Sequence, residues 1–314
     1  MMRPYAVIDL HCDTLVECSY TNTGNPDTLD DPKRVLSLTS IPGDVHWGQL
    51  FAIYMPERGQ AAKDAFEQHQ ANFYRQMEKF SDRVAPCRTA ADMERAWAAG
   101  KTAAVLAVED GAVLAGEMDR VAYIAEKGVR AVTLVWNTEN EIGSGNTTDH
   151  GLTPFGKAVI PEMEKHGILV DVSHLNDNGF CQLLEIAQKP FIATHSNARA
   201  VCSHKRNLTD VMIGEMVRRK CLIGLNYYVR FLEEDGNVES LDSIYRHAMH
   251  ILDLGGEKCL SLGSDFDGSI LPQCLNTPEK VAQMYGYFLD RGIPQATADG
   301  IFYRNALEFF RTNL

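Results

Sequence analysis

Ala6-Val-Ile-Asp-Leu-His-Cys-Asp13 is the stretch on which the fold reading turns. Its core, Val7–Leu10, reads as a short buried strand, nearly continuous in apolar character as parallel strands are. A doubly wound sheet would follow such a strand with a glycine-rich turn. Here the strand runs directly into His-Cys-Asp. Seven further runs of the same kind follow: Leu50–Tyr54, Ala103–Val108, Ala131–Val135, Ile168–Val172, Phe191–Ala193, Leu222–Leu225 and Leu260–Leu262. Helix-period stretches separate them, among them Phe155–His166, Asn178–Gln188, Thr209–Lys220 and Leu241–Leu254. Short apolar runs alternating with helices predict an α/β protein of the (β/α)8 TIM-barrel class. The 314 residues suit either one such barrel or two smaller domains. The barrel reading makes residues 1–314 a single domain.

Composition narrows the partners. The chain is 45% hydrophobic and 23% charged, with ample apolar residue for a core. Thirty Lys and Arg against 42 Asp and Glu give a net charge of −12, which argues against nucleic acid and anionic membrane as partners. No apolar run reaches the ~18–20 residues of a membrane span, and Ala6–Leu10 is too short for a signal-peptide core. The eight cysteines, Cys18 among them, form no CxxC pair and no disulfide framework. They read as free thiols, which points to a cytoplasmic protein.

The connections are uneven. Cys12 to Gln49 is long and carries Asn25-Pro26 and Asp31-Pro32 turn signals. Met55 to Thr102 holds a long helix and a shorter one, Asn137 to Gly151 is polar and glycine-rich, and Thr277 to Leu314 reads as two or three closing helices. What ends each run matters more. The first ends in His11-Cys12-Asp13, the third at Glu109, the fifth in Asp171-Val-Ser-His174, the sixth at His195 and the eighth at Asp265. In a parallel barrel those ends converge on one mouth. Side chains alternate along a strand, so His11 and Asp13 share a face that Cys12 does not. One His-x-Asp carries little weight, but a structural histidine has no reason to prefer strand C-termini. Imidazoles with carboxylates suit Zn2+ and similar ions, and a shared carboxylate could hold two of them ~3.5–4 Å apart.

These residues resemble the membrane (renal) dipeptidases, peptidase family M19, over nearly the whole chain. The resemblance is carried by Ile8-Asp-Leu-His-Cys-Asp13, Val108-Glu109-Asp-Gly111, Gly151-Leu-Thr-Pro-Phe-Gly156, Asp171-Val-Ser-His174, Thr194-His195-Ser196, Arg206-Asn207 and Gly263-Ser-Asp-Phe-Asp-Gly268. The intervals of 21 residues from His174 to His195 and 11 from His195 to Arg206 match as well. The resemblance implies two zinc ions per subunit, His11 and Asp13 on one, His174 and His195 on the other, with Glu109 between them. It implies hydrolysis of small dipeptides by a metal-bridging hydroxide, some with a D-residue at the C-terminal side. Asp265 would then shuttle the proton and Arg206 hold the substrate carboxylate. A homodimer is a further family-level expectation.

Two positions depart from the family pattern. Trp136 stands after the fourth run where many members carry a histidine that contacts substrate, and indole cannot titrate. Phe231 stands where mammalian relatives use a tyrosine to hold the carboxylate, with Arg230 beside it as a compensating cation. The mammalian relatives are also secreted and lipid-anchored, and neither signal is expected in this chain. Tyr228 reads as pocket lining or rim packing. His247 and His250 have no strand-end address and read as packing or surface, while Asp171 and Asp267 are candidates to orient zinc-bound imidazoles. Two alternatives stay open: a metal-dependent amidase acting on N-acyl amino acids or lactams, and a non-catalytic barrel that binds a ligand.

Overall fold

The computed structural model describes residues 2–15 and 29–314. Cys18 and the Asn25-Pro26 turn lie outside the described residues. Among the described residues nine parallel strands appear in chain order: β1 Ala6–Cys12, β2 His46–Tyr54, β3 Val84–Cys87, β4 Thr102–Glu109, β5 Val129–Thr133, β6 Leu169–Asp171, β7 Ile192–Ala193, β8 Leu222–Leu225 and β9 Leu260–Leu262. The order β2-β1-β9-β8-β7-β6-β5-β4 closes through direct pairing of β2 with β4, from Gly48↔Ala103 to Tyr54↔Glu109. Eight strands therefore form a closed barrel with helices between them, the TIM-barrel class expected.

The ninth strand, β3, has no counterpart among the expected runs. It pairs Val84–Cys87 with Thr102–Val105 of β4, just before β5 takes over that edge at Leu106. Four residues interrupted by Pro86 give a weak strand signal, and proline is tolerated here because β3 is an edge. The fourth run is displaced, beginning and ending two residues earlier than the expected Ala131–Val135. Strand β5 ends at Thr133, which leaves Trp136 in the loop beyond it.

Strand β1 shows how the sequence divides its labour. Ile8 and Leu10 join Met93, Trp97 and Phe310 in an apolar cluster under two helices. Asp9 points to the opposite face, and a register shift between Asp9 and Cys12 turns His11 back to the face that carries Glu109. Asp9 is fully buried, and its Oδ1 accepts from the N–H groups of His11 (3.1 Å) and Ser264 (3.0 Å). One carboxylate thus ties the C-terminal ends of β1 and β9 together. Four of the helices start on side-chain caps of one kind: Thr153, Asn176, Thr209 and Thr277 each accept from the N–H three residues on. Each such cap is worth about 1 kcal/mol. No described helix is long and apolar enough to cross a membrane. The seven described cysteines are free thiols.

His247, on the helix Asp242–Asp253, is fully buried and packs away from the strand ends. Its Nδ1 accepts from the Ala198 N–H (3.2 Å), so Nε2 carries the proton and donates to the Leu232 carbonyl (3.1 Å). Burial pushes its pKa down to about 4. An unfolded histidine titrates near ~6.5. The stability this gives is complete above that value and is lost as pH falls through about 4. It amounts to roughly 3 kcal/mol. Thermal melts of wild type and His247→Gln between pH 7 and pH 4 are expected to show the steeper acid loss in wild type. Parallel curves would contradict this account. His250, by contrast, faces Asp210 at 2.7 Å on the surface.

Candidate metal centre

The ends of β1, β4 and β9 and the segments after β6 and β7 bring His11, Asp13, Glu109, His174, His195 and Asp265 to one place. Glu109 is at the middle of it. Its Oε1 lies 2.9 Å from His174 Nε2 and 3.6 Å from His195 Nε2, while its Oε2 lies 3.6 Å from His11 Nε2. The two oxygens of one carboxylate thus address two different groups of ligands. His11 Nε2 also lies 3.4 Å from Asp13 Oδ2 and 3.9 Å from Asp265 Oδ1. Donor atoms of His11, Glu109 and His195 lie within 4.8 Å of one another, and so do those of His11, Asp13 and Asp265.

The hydrogen bonds fix which nitrogens are free. His174 Nδ1 faces Asn137 Oδ1 at 2.9 Å, an oxygen that also accepts from Asn146 Nδ2 at 2.8 Å. His174 therefore donates from Nδ1. His195 Nδ1 faces Thr194 Oγ1 at 2.8 Å, and that hydroxyl donates to Asp171 Oδ2 at 2.6 Å. His195 therefore also donates from Nδ1. Both imidazoles are left with bare Nε2 lone pairs, 2.9 Å apart. Two lone pairs aimed at each other repel, and a cation between them removes the repulsion. His11 Nε2 and Asp13 Oδ1 are likewise buried without a hydrogen-bond partner among the described residues. The donor set fits divalent cations of the zinc type.

The electrostatics agree. Burial opposes charge on His11, yet Glu109 and Asp13 outweigh it and hold its pKa well above the ordinary value. Burial pushes Glu109 up to about 7, against the pull of His11 and with Asp13 and Asp265 adding to it. Burial also raises Asp265, against His11. Burial keeps His174 and His195 well below the usual range, with Arg206 and His11 adding. Acids short of positive charge thus stand beside two imidazoles, His174 and His195, that resist protonation.

Backbone geometry aims these groups. His174 and Asp265 adopt left-handed φ of 70° and 63°. Such conformations cost roughly 1–3 kcal/mol each in a residue other than glycine and gather at functional sites. Gly268 packs against Asp13, and a methyl group there would overlap its carboxylate. Asp265 Oδ2 accepts from Asn226 Nδ2 at 3.1 Å, which leaves Oδ1 facing the cluster.

A cavity of about 540 Å³ opens over the cluster, lined in part by Tyr54, Trp136, Arg206, Tyr228 and Phe231. Arg206 is 5% exposed, yet its Nε and Nη2 have no hydrogen-bond partner among the described residues. Its guanidinium lies 5.3 Å over the Phe231 ring, and burial lowers its pKa to about 10. An unpaired buried guanidinium is built to receive an anion. Trp136 lies 5.1 Å from the Tyr54 ring and 6.0 Å from His174, so it forms a wall rather than a ligand.

Several expected roles change in detail. Asp171 reaches His195 only through Thr194, and it also accepts from Thr133 Oγ1 at 2.6 Å. Asp267 bonds to no imidazole among the described residues. It holds the Val35 and Leu36 N–H groups and the Thr14 hydroxyl, which pins the loop after β1. Asn137, Asn226 and Tyr54 are functional neighbours that the sequence did not flag. Asparagine in a loop has too many ordinary uses to stand out. Tyr54, at the last position of β2, had a strand-end address like Glu109, and that was the available signal.

The model of the membrane dipeptidase family (peptidase family M19) matches residues 1–313. A curated but uncharacterised protein of Klebsiella pneumoniae, encoded 5′ of pqqA, is 32% identical over 240 residues, 73% of this chain and 89% of its own length. The dipeptidase tcpJ of Claviceps purpurea is 28% identical over 79% of this chain and 60% of its own. Among solved structures, a metallopeptidase from Rhodobacter sphaeroides, liganded with a phosphinate mimic of the dipeptide L-Ala-D-Ala, superposes with a TM-score of 0.93. It is 25% identical, with 99% of this chain and all of that one covered. Dipeptidase AC, an M19 metallopeptidase, gives 0.92 at 25% identity over 99% of both chains. The chain therefore belongs to the membrane dipeptidase family, peptidase family M19, and is a dipeptidase of the metallopeptidase class on a (β/α)8 barrel.

Proposed function

We propose that this chain is a zinc dipeptidase with two ions in one barrel domain, acting on small dipeptides that include L,D-dipeptides. The observation that carries the reading is the divided carboxylate of Glu109, Oε1 toward His174 and His195 and Oε2 toward His11. His11 and Asp13 would hold one ion, His174 and His195 the other, and Glu109 both. Such ions supply Lewis acidity for an amide carbonyl and lower the pKa of water toward ~7. The mimic of L-Ala-D-Ala bound by the Rhodobacter relative supports the L,D class.

The chain's own residues supply the rest. Arg206 receives the substrate carboxylate from the cavity wall and orients the peptide bond over the cluster. Tyr54, Trp136, Tyr228 and Phe231 enclose it and exclude water. Asp265 offers a free Oδ1 to the cluster while Asn226 holds its Oδ2. Its raised pKa suits a carboxylate that takes a proton from water and returns it to the leaving amine. Asp265→Asn keeps the shape and the Asn226 contact but cannot carry a proton. Zinc-loaded Asp265→Asn is expected to lose about 10²- to 10⁴-fold in kcat on a dipeptide panel while retaining its metal. Undiminished turnover would sink Asp265 as the proton carrier. A panel in which N-acyl amino acids, but no dipeptide, are cleaved would replace the substrate class.

A further inference from the structure

The sequence offered Arg230 as a second cation for the substrate's main-chain carboxylate. The geometry points elsewhere. Arg206, Tyr228 and Phe231 line the cavity over the metal cluster, and Arg230 does not. Arg230 lines a second groove of about 440 Å³ with Ser203, His204 and Glu234, and Tyr228 is the wall common to both spaces. The Phe231 ring packs on His204 at 4.6 Å and on Tyr228 at 4.8 Å, so it stands where the two spaces adjoin.

The groove is rich in unused donors. Arg230 is exposed, and its guanidinium makes no hydrogen bond or ion pair with any described residue. His204 Nδ1 accepts from the Arg206 N–H at 3.2 Å, so its proton sits on Nε2 as a second donor. Glu234 is the one acid in the lining, and its Oε1 already accepts from the Ser203 N–H at 3.3 Å. In a chain of net charge −12, a free guanidinium in a groove that adjoins the reaction cavity is a selective feature.

We propose that this groove is a specificity subsite for the side chain of the substrate's C-terminal residue, and that Arg230 selects a carboxylate there. The inference rests on the dipeptidase reading. With the main-chain carboxylate held on Arg206, the same residue's side chain leaves the cavity past Phe231 and Tyr228, toward Arg230. Dipeptides ending in Glu or Asp are then preferred over their neutral isosteres.

The test compares kcat/KM of the zinc-loaded full chain on Ala-Ala, Ala-Gln and Ala-Glu, each with the C-terminal stereochemistry that is turned over. Wild type is expected to favour Ala-Glu over Ala-Gln by about ten-fold or more. Arg230→Gln is expected to bring that ratio near one while leaving Ala-Ala unchanged, and Arg230→Glu to invert it. A wild-type ratio near one, or a ratio that survives Arg230→Gln, overturns the subsite with Ala-Ala turnover intact. Loss of turnover on every peptide in wild type would instead overturn the dipeptidase reading, and the subsite with it.

Discussion

Glu109→Gln is expected to lower dipeptide hydrolysis by roughly 10³-fold, about 4 kcal/mol of barrier, and to take metal content down with it. The amide keeps the volume of the carboxylate, so packing around β4 is preserved. It removes the negative charge and one acceptor oxygen from the one carboxylate that, among the described residues, addresses His174, His195 and His11 together. Fold stability should not suffer. Burial pushes the native carboxyl up to about 7, so Glu109 costs stability where it sits, and a neutral amide relieves that cost. A variant that melts at or above the wild-type temperature yet holds little metal would separate function from folding. Wild-type activity with wild-type metal content would remove Glu109 from the centre.

Arg206→Met should pull stability and activity in opposite directions. The guanidinium is buried with Nε and Nη2 unpaired among the described residues, and the free protein bears that desolvation cost until an anion arrives. Methionine fills similar volume over the Phe231 ring without a charge. Replacing buried charge by apolar volume stabilises by about 1–4 kcal/mol where packing allows, so the melting temperature should rise. Dipeptide kcat/KM should fall by about 10²-fold, roughly 3 kcal/mol, because the substrate carboxylate loses its charged partner. A dipeptide amide, which brings no carboxylate, should be cleaved equally by both proteins. An unchanged kcat/KM on free dipeptides would show that the carboxylate is held elsewhere.

The fold was legible because barrel strands bury both faces and so read as apolar runs whatever lies beyond them. β3 was not, because Pro86 and four-residue length hide an edge strand that needs only one partner. The ligand positions were legible for a topological reason: parallel strands deliver their C-terminal residues to one mouth. His11, Glu109, His195 and Asp265 could therefore be gathered before any contact was known. The spacing of Glu109's two oxygens could not, since it depends on side-chain rotamers and on Asp9 binding β1 to β9. The roles of Asp171 and Asp267 looked alike in sequence, each near a strand end beside a ligand. The difference lies in what packs nearby: Thr194 relays one to an imidazole, and Val35 and Leu36 claim the other. Arg230 was visible as a charge, but only the packing around Tyr228 and Phe231 shows which space it lines.

Elemental analysis of the full chain, purified without chelator and dialysed against trace zinc, tests the central claim most directly. Two zinc ions per chain are expected, falling to one or fewer in Glu109→Gln. Wild-type protein that holds none, or that holds one and keeps it in Glu109→Gln, would contradict a centre built on a shared carboxylate.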